Sequence, residues 1–425
     1  MNETSSSKAK LGVIRPAGAI LLQLVTYAFG ALTFVAVFFA SAFILNSPTV
    51  LMVLAFAAAA AVAALGSHFA GKLFKAKPRK SYTIIHAAIF LTLLIIATAH
   101  FVLRPLVPEA DQFLPGKMGG VDLWELPTGS EIAVRKARSP ETRSKYPIVI
   151  LHGGPGAYSV SFEPILEVFS ELTNDGHDVY FYDQAGGGLS ARLENITQYS
   201  LDRHIDDLKA IHDRIGSEQV ILIGSSWGAT LAANYIAKYP EDVAKAIFSG
   251  PGPIYLPDWT HTPDGNLDEK MSPEQKRQFD RAIEKPRLFA ALILQDINPI
   301  AAVKFAPERE MGSFFDKIAN DHYLPLAMCD PAKAVARSEG YGFWSSRMTG
   351  ATLINRTDDP KPALERNILP VFILRGSCDY KREAVARQYA STFPNSTYVA
   401  VNDTGHMIYA ENPNEYLRLI REFLK

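Results

Sequence analysis

The chain opens with three long stretches in which charge is absent and apolar residues dominate. Pro16 to Gly71 contains no Lys, Arg, Asp or Glu, and neither does Ser81 to Leu103. A bilayer-spanning helix needs ~20 apolar residues. The pattern predicts three such helices, at 17–45, 49–70 and 82–103, with Asn46-Ser47-Pro48 breaking the first from the second. The first run is far longer than the ~7–15-residue core of a cleaved signal peptide, so a span is favoured over a leader. Uncharged runs of this length are also rare in soluble cores.

From Gly119 the periodicity changes. Val121–Leu126 and Glu131–Ala137 flank Pro127-Thr128-Gly129 as a hairpin. Ile148–Leu151, Val179–Tyr182, Val220–Ile223, Val243–Ser249, Val371–Leu374 and Thr397–Val401 read as strands. Between them Leu201–Ile215 puts Leu201, Ile205, Leu208, Ile211 and Ile215 on one helical face, and Trp227–Lys238 and Pro413–Leu424 are further helices. Strands alternating with helices imply a mostly parallel, doubly wound α/β sheet. The alternation lapses over 251–366, a helical stretch rich in Pro and aromatics, which reads as a cap inserted into the core. The expected organisation is a tail at 1–16, a membrane domain at 17–103, a core in two parts (104–250 and 367–425) and the cap between them.

Charge sharpens this picture. Of 43 basic and 44 acidic residues, eight basic ones and a single acid precede Arg104, so the remainder carries a net charge of about −8. An acidic soluble part argues against nucleic acid as a partner. The eight are Lys8, Lys10, Arg15, Lys72, Lys75, Lys77, Arg79 and Lys80, all in the tail or in the loop between the second and third spans. Positive segments stay inside, which places both in the cytoplasm and the catalytic part outside. Two cysteines, Cys329 and Cys378, have no metal-ligand spacing, and two independent buried thiols are favoured over a bridge.

Gly224-Ser225-Ser226-Trp227-Gly228 follows a strand and opens a helix. That is the context a G-x-S-x-G nucleophile elbow requires, with Ser226 lifted above the sheet on a sharp turn. The α/β-hydrolase fold supplies the partners of such a serine in the order Ser, Asp, His. Asp379 leaves the strand Val371–Leu374 and His406 lies in the loop after the last strand. His406 is then the base and Asp379 the acid that orients it, with Asp403 a rival for the second role. His204 and His212, on the amphipathic helix, read as packing residues. His152-Gly153-Gly154-Pro155-Gly156 follows the strand Ile148–Leu151. Acyl transfer needs two backbone N–H donors for the oxyanion, expected from Gly154 and Trp227. No metal or organic cofactor is called for.

His152–Gly156, the loop Asp183-Gln184-Ala185-Gly186-Gly187-Gly188-Leu189-Ser190 and the Trp-containing elbow together resemble the proline iminopeptidase branch of the α/β hydrolases, over roughly Val121 to Lys425. The resemblance implies an exopeptidase that removes N-terminal residues from short peptides, or a related esterase or amidase on a small apolar substrate. It matches Ser226, Asp379, His406, Gly154 and Trp227 to that family's catalytic and oxyanion positions. The family usually carries Arg where Ala185 stands, and a cap glutamate for the substrate's α-ammonium that Trp344-Ser345-Ser346-Arg347-Met348-Thr349 lacks. An aminopeptidase would then need another acid, from Asp296, Glu308, Glu310, Asp316 and Asp321. The alternative is an apolar acyl pocket built from Phe314, Phe315, Phe343 and Trp344.

Overall fold

The computed structural model describes residues 3–75, 79–333 and 338–425, with side chains from 18 onward. Lys77 and the side chains of Lys8, Lys10 and Arg15 therefore lie outside the described residues. The chain forms two compact units: Met1–Leu106 with Glu284–Pro307, and Val107–Ile283 with Glu308–Lys425.

The first unit holds α1 (Glu3–Ala42), α2 (Pro48–Leu73) and α3 (Arg79–Thr98), the last continued by a π-helical turn to Leu103. Gly18–Ala42, Pro48–Leu73 and Arg79–Leu103 are each long and apolar enough to cross a membrane. The expected tail at 1–16 is not a separate segment, because α1 begins at Glu3 and runs unbroken into the first span. Pro48 starts α2, where its missing N–H costs nothing. On α2 the fully buried residues Leu51, Ala55, Ala59, Ala63 and Ser67 recur every fourth position, a small-residue seam that lets helices approach closely. Leu21, Phe29, Leu32, Ile84 and Leu93 are more than half exposed. A bundle with alanines inside and many large apolar side chains outside, Phe34, Phe38 and Phe90 excepted, runs against the soluble pattern. Two polar contacts join its helices: Gln23 Nε2 donates to Ser67 Oγ (2.8 Å) and the Tyr27 hydroxyl to the His86 carbonyl (3.0 Å).

The second unit is built on an eight-stranded sheet. Its strands are β1 (Asp122–Glu125), β2 (Glu131–Ala137), β3 (Ile148–Leu151), β4 (Val179–Tyr182), β5 (Val220–Ser225), β6 (Val243–Ser249), β7 (Val371–Gly376) and β8 (Ser396–Val401). The order is β1-β2-β4-β3-β5-β6-β7-β8, antiparallel in the first two pairings and parallel thereafter. Every residue of β3 and β4 is buried, as strands covered on both faces must be. Helices α4 (Glu163–Ser170), α5 (Leu201–Ile215) and α6 (Trp227–Lys238) come from the first part of the core. From the second part come α14 (Glu383–Thr392), α15 (Ile408–Glu411) and α16 (Pro413–Leu424).

The insertion between β6 and β7 is helical, as expected, but it does not stay together. It carries α7 (Pro273–Ile283), α8 (Pro286–Ile297), α9 (Pro299–Phe305), α10 (Glu308–Ile318), α11 (Leu324–Ala327), α12 (Phe343–Ile354) and α13 (Lys361–Leu364). Of these α8 and α9 belong to the first unit. The expected single cap at 251–366 is corrected accordingly, since α8 and α9 bury Leu288, Ala291, Leu294, Ala301 and Ala302 in that unit.

The cysteines also depart from expectation. Cys329 and Cys378 are disulfide-bonded, with Cα atoms 5.2 Å apart across 49 residues. The loop after α11 and the loop after β7 are drawn together by backbone bonds, His406 N to Ala327 O and Cys378 N to Thr404 O. Two thiols distant in sequence thus become neighbours.

Candidate active site

Strand β5 ends directly at the elbow, and Ser226 adopts φ 55°, ψ −119°, a conformation that side-chain-bearing residues rarely hold. Backbone bonds fix it: Ser226 N donates to Ser249 O, and Ser226 O accepts from Ala229 N and Gly252 N, each at 3.0 Å. The flanking glycines are steric necessities. A Cβ on Gly224 would lie 2.5 Å from the Gly228 carbonyl oxygen, and one on Gly228 would lie 2.0 Å from that of Leu151.

His406 and Asp379 meet, Nδ1 to Oδ1 at 2.8 Å, in a buried pair. Burial alone would raise the Asp379 carboxyl, but the His406 imidazole beside it wins and holds it below its ordinary value. Lys381 N donates to the same Oδ1 (2.9 Å), and Arg375 Nη2 to the Asp379 carbonyl (3.1 Å). Asp403 is an exposed turn residue at positive φ, away from this pairing. Two residues that the sequence did not mark support the pair. Glu411 accepts from Cys329 N (2.8 Å), Asp330 N (3.0 Å) and Gly405 N, fastening the segment after α11 to the histidine loop. Tyr380, directly after Asp379, places its ring 4.6 Å from the His406 ring and lines the same cavity as Ser226. An aromatic adjoining the predicted acid was the available signal.

The glycine loop is held by His152. Gln184 N donates to His152 Nε2 (2.9 Å), so Nδ1 carries the proton and donates to Gly153 O (2.8 Å). Burial pushes the His152 pKa down to about 4, which keeps the ring neutral. The Gln184 side chain continues the chain of bonds, donating to His152 O (3.2 Å) and accepting from Trp227 Nε1 (2.7 Å). One glutamine thus couples the glycine loop to the residue after Ser226. Gly154 is cis to Pro155 at φ 121°, and a Cβ on Gly153 would stand 3.3 Å from Ser226 Cβ. His204, its Nε2 3.2 Å from Thr349 Oγ1, and His212, bonded to Ser217 O, are buried packing residues.

Asp183 anchors the other loop, accepting from Ser159 N (2.7 Å), Val160 N (2.9 Å) and Leu189 N (2.9 Å). Burial outweighs those donors and raises its pKa to about 6. A raised carboxyl contributes stability below its unfolded value and loses it as pH rises through the folded one. Asp183→Asn should therefore lower stability, because one N–H loses its acceptor at a cost of ~1–3 kcal/mol. The same change should flatten the decline in unfolding midpoint between about pH 4 and pH 6, read by thermal melts across pH.

A cavity of about 230 Å³ adjoins Ser226 and His406. Gly153 and Gly154 lie on one side, and Tyr158, Phe162, Ile165, Leu267, Tyr323, Leu324, Tyr380 and Tyr409 form most of the rest. Among the described residues that line it there is no carboxylate. Phe314, Phe343 and Trp344 are buried and Phe315 stacks on Tyr341 at 4.3 Å; none of the four is among the residues that line this cavity. The five acids are engaged elsewhere. Glu308 accepts from Phe343 N and Trp344 N at the start of α12, and Asp316 accepts from Ser338 Oγ and Gly340 N. Glu310 is buried off the wall, Asp321 pairs with Lys317 on the surface, and Asp296 belongs to the first unit. Among the described residues no group of three or more His, Cys, Asp or Glu side chains gathers to hold a metal.

The sequence profile of the α/β hydrolase fold matches residues 146–413. A proline iminopeptidase of Heyndrickxia coagulans is 27% identical over 304 residues, covering 70% of this chain and 96% of its own. One from Saccharolobus solfataricus is 25% identical, covering 65% and 84%. Among solved structures, an α/β-fold hydrolase from Bacillus anthracis superposes with a TM-score of 0.53 at 15% identity, over 71% of this chain and 98% of that one. A putative aryl esterase from Burkholderia cenocepacia gives 0.50 at 21%, over 72% and 97%. With the profile spanning more than half of its length, this chain belongs to the α/β-hydrolase family, on the proline iminopeptidase-like branch.

Proposed function

We propose that the protein is a membrane-anchored serine hydrolase that works through an acyl-enzyme. The observation that carries this reading is the Asp379–His406 pair, 2.8 Å apart, on the same cavity as an elbow serine held at φ 55°. Ser226 Oγ attacks the substrate carbonyl while His406 Nε2 takes its proton and later returns it to the leaving group. Asp379 keeps the proton on His406 Nδ1 and stabilises the imidazolium that forms. The backbone N–H groups of Gly154 and Trp227 receive the oxyanion. Water then cleaves the acyl-enzyme by the same steps in reverse roles.

For the substrate, the cavity favours an ester or amide with an uncharged, apolar acyl group. Enclosing an α-ammonium without a carboxylate partner would cost several kcal/mol, and the described wall offers none. The second reading is an aminopeptidase, favoured by relatives named proline iminopeptidase. It would draw on Glu339, an exposed acid next to the lining residue Ser338. A proline anilide, its N-acetylated form and short-chain esters separate the two. We expect the blocked anilide and the esters to turn over at least as fast as the free amine. Strong preference for the free amine, lost in Glu339→Ala, would replace the esterase reading with the peptidase.

The basic residues of the first two cytoplasmic segments favour an extracytoplasmic hydrolase. The Cys329–Cys378 bridge supports that side, since disulfides persist in oxidising compartments. Protease added to spheroplasts should digest residues beyond Val107 and spare a tag at Met1; protection of the C-terminal part would reverse the orientation.

A further inference from the structure

Helices α8 and α9 lie between cap helices in sequence yet fold with the three apolar helices. Their fastenings are specific. Asn298, between the two helices, donates from Nδ2 to Ala42 O (2.8 Å), Leu45 O (3.3 Å) and Asn46 Oδ1 (2.7 Å) at the end of α1. The first two are backbone carbonyls of the kind that a helix end leaves open, and the third is a side-chain amide oxygen. Arg287, in the first turn of α8, donates to Val102 O (3.1 Å) at the end of the third span and to Phe305 O (2.7 Å), with its guanidinium 4.7 Å from the Phe305 ring. The ends of the first and third of three successive spans lie on one side of a bilayer. A 12-residue helix fastened at both therefore crosses that end of the bundle.

The side facing away from the bundle carries three large apolar residues, with the exposed Asp296 and Lys304 beside them. Phe289 is 50% exposed, Ile293 45% and Ile300 39%. Phe289 and Ile293 are one helical turn apart on α8, which packs against the span ends, where Phe43, Ile44 and Phe101 are exposed as well. We infer that α8 and α9 form an interfacial helix pair, with Phe289, Ile293 and Ile300 immersed in the lipid of the leaflet where the first and third spans end. Such helices bury their apolar face ~5–10 Å into the boundary between headgroups and acyl chains. Continuity with the spans names the occupant as lipid, and the inference rests on the anchoring reading above.

The test uses the full chain in lipid nanodiscs, with a fluorophore on Cys introduced singly as Phe289→Cys, Ile293→Cys or Ile300→Cys. The bridged native cysteines stay unlabelled. Leu32→Cys, on a span, and Leu123→Cys, in the hydrolase unit, are the controls; both native residues are more than half exposed. Lipids brominated near the top of the acyl chains should remove about half or more of the emission at 289, 293 and 300 and leave 123 unchanged. Lipids brominated near the chain ends should quench 32. If 32 is quenched while all three hairpin positions behave like 123, the interfacial pair is overturned and the anchoring stands. If 32 is not quenched, the anchoring reading itself fails, and this inference with it. Should one variant fail to accumulate, the other two positions decide.

Discussion

Ser226→Ala should abolish hydrolysis by a factor of at least ~10³ while leaving the fold intact. The substitution removes one oxygen atom at a half-buried position and keeps the Cβ, so the turn loses none of its backbone bonds to Ser249, Ala229 and Gly252. What disappears is the only atom that can carry the acyl group. His406→Ala should cost about as much, because members of such a unit are not independent, and the double variant should be little worse than either. Steady-state rates with a short-chain ester and labelling by an active-site serine probe give the measurement. Activity retained in Ser226→Ala and lost in Ser225→Ala would move the nucleophile by one residue and dissolve the proposed triad.

Asp379→Asn should lower kcat by ~10⁴. The carboxylate accepts from His406 Nδ1 at 2.8 Å and from Lys381 N at 2.9 Å through the same oxygen, so it fixes which ring nitrogen carries the proton. An amide can turn its NH₂ toward the ring and stabilise the other tautomer, leaving no lone pair on Nε2 for Ser226. The carboxyl's lowered value also has a sign for stability. Its contribution is fully present above the unfolded value near 3.8 and lost as pH falls through the folded one. The Asn variant should lack that acid-side loss in melts at low pH. A variant that kept most of its kcat would pass the orienting role to another group.

How much of this was legible follows from what each feature depends on. The strands could be read because Ile148–Leu151 and Val179–Tyr182 are unbroken apolar runs and Val243–Ser249 is a mostly apolar run broken by Lys245, and the structure reproduces those limits. The elbow, acid and base were legible because each stands at the end of a strand, so its place in sequence is also its place on the sheet. Features made by distant loops were not. Cys329 and Cys378 meet only because the segment after α11 lies along the histidine loop, which no local pattern reports. Phe314, Phe315, Phe343 and Trp344 were read as a pocket from their size, yet large aromatics fill a helical layer just as well, and the cavity beside Ser226 is lined by other residues, tyrosines among them. The sequence between Glu284 and Pro307 is apolar in either setting. Only Asn298 and Arg287, polar residues with span carbonyls to satisfy, betray which unit it joins.

The division of the chain makes the hydrolase harder to detach than its layout suggests. Its polypeptide passes between the two units at three places, after Leu106, after Ile283 and after Pro307. A single cut at the first junction frees residues 1–106 but leaves α8 and α9, which fold with them, joined to the hydrolase unit through the other two. A soluble enzyme cannot be obtained by deleting the first 106 residues alone, because α8 and α9 would remain, stripped of the bundle and showing water the Leu288, Ala291 and Leu294 faces now buried there. Shedding by a surface protease would need cleavage at the first junction and at both of the others. The two units are joined by three crossings of the chain instead of one.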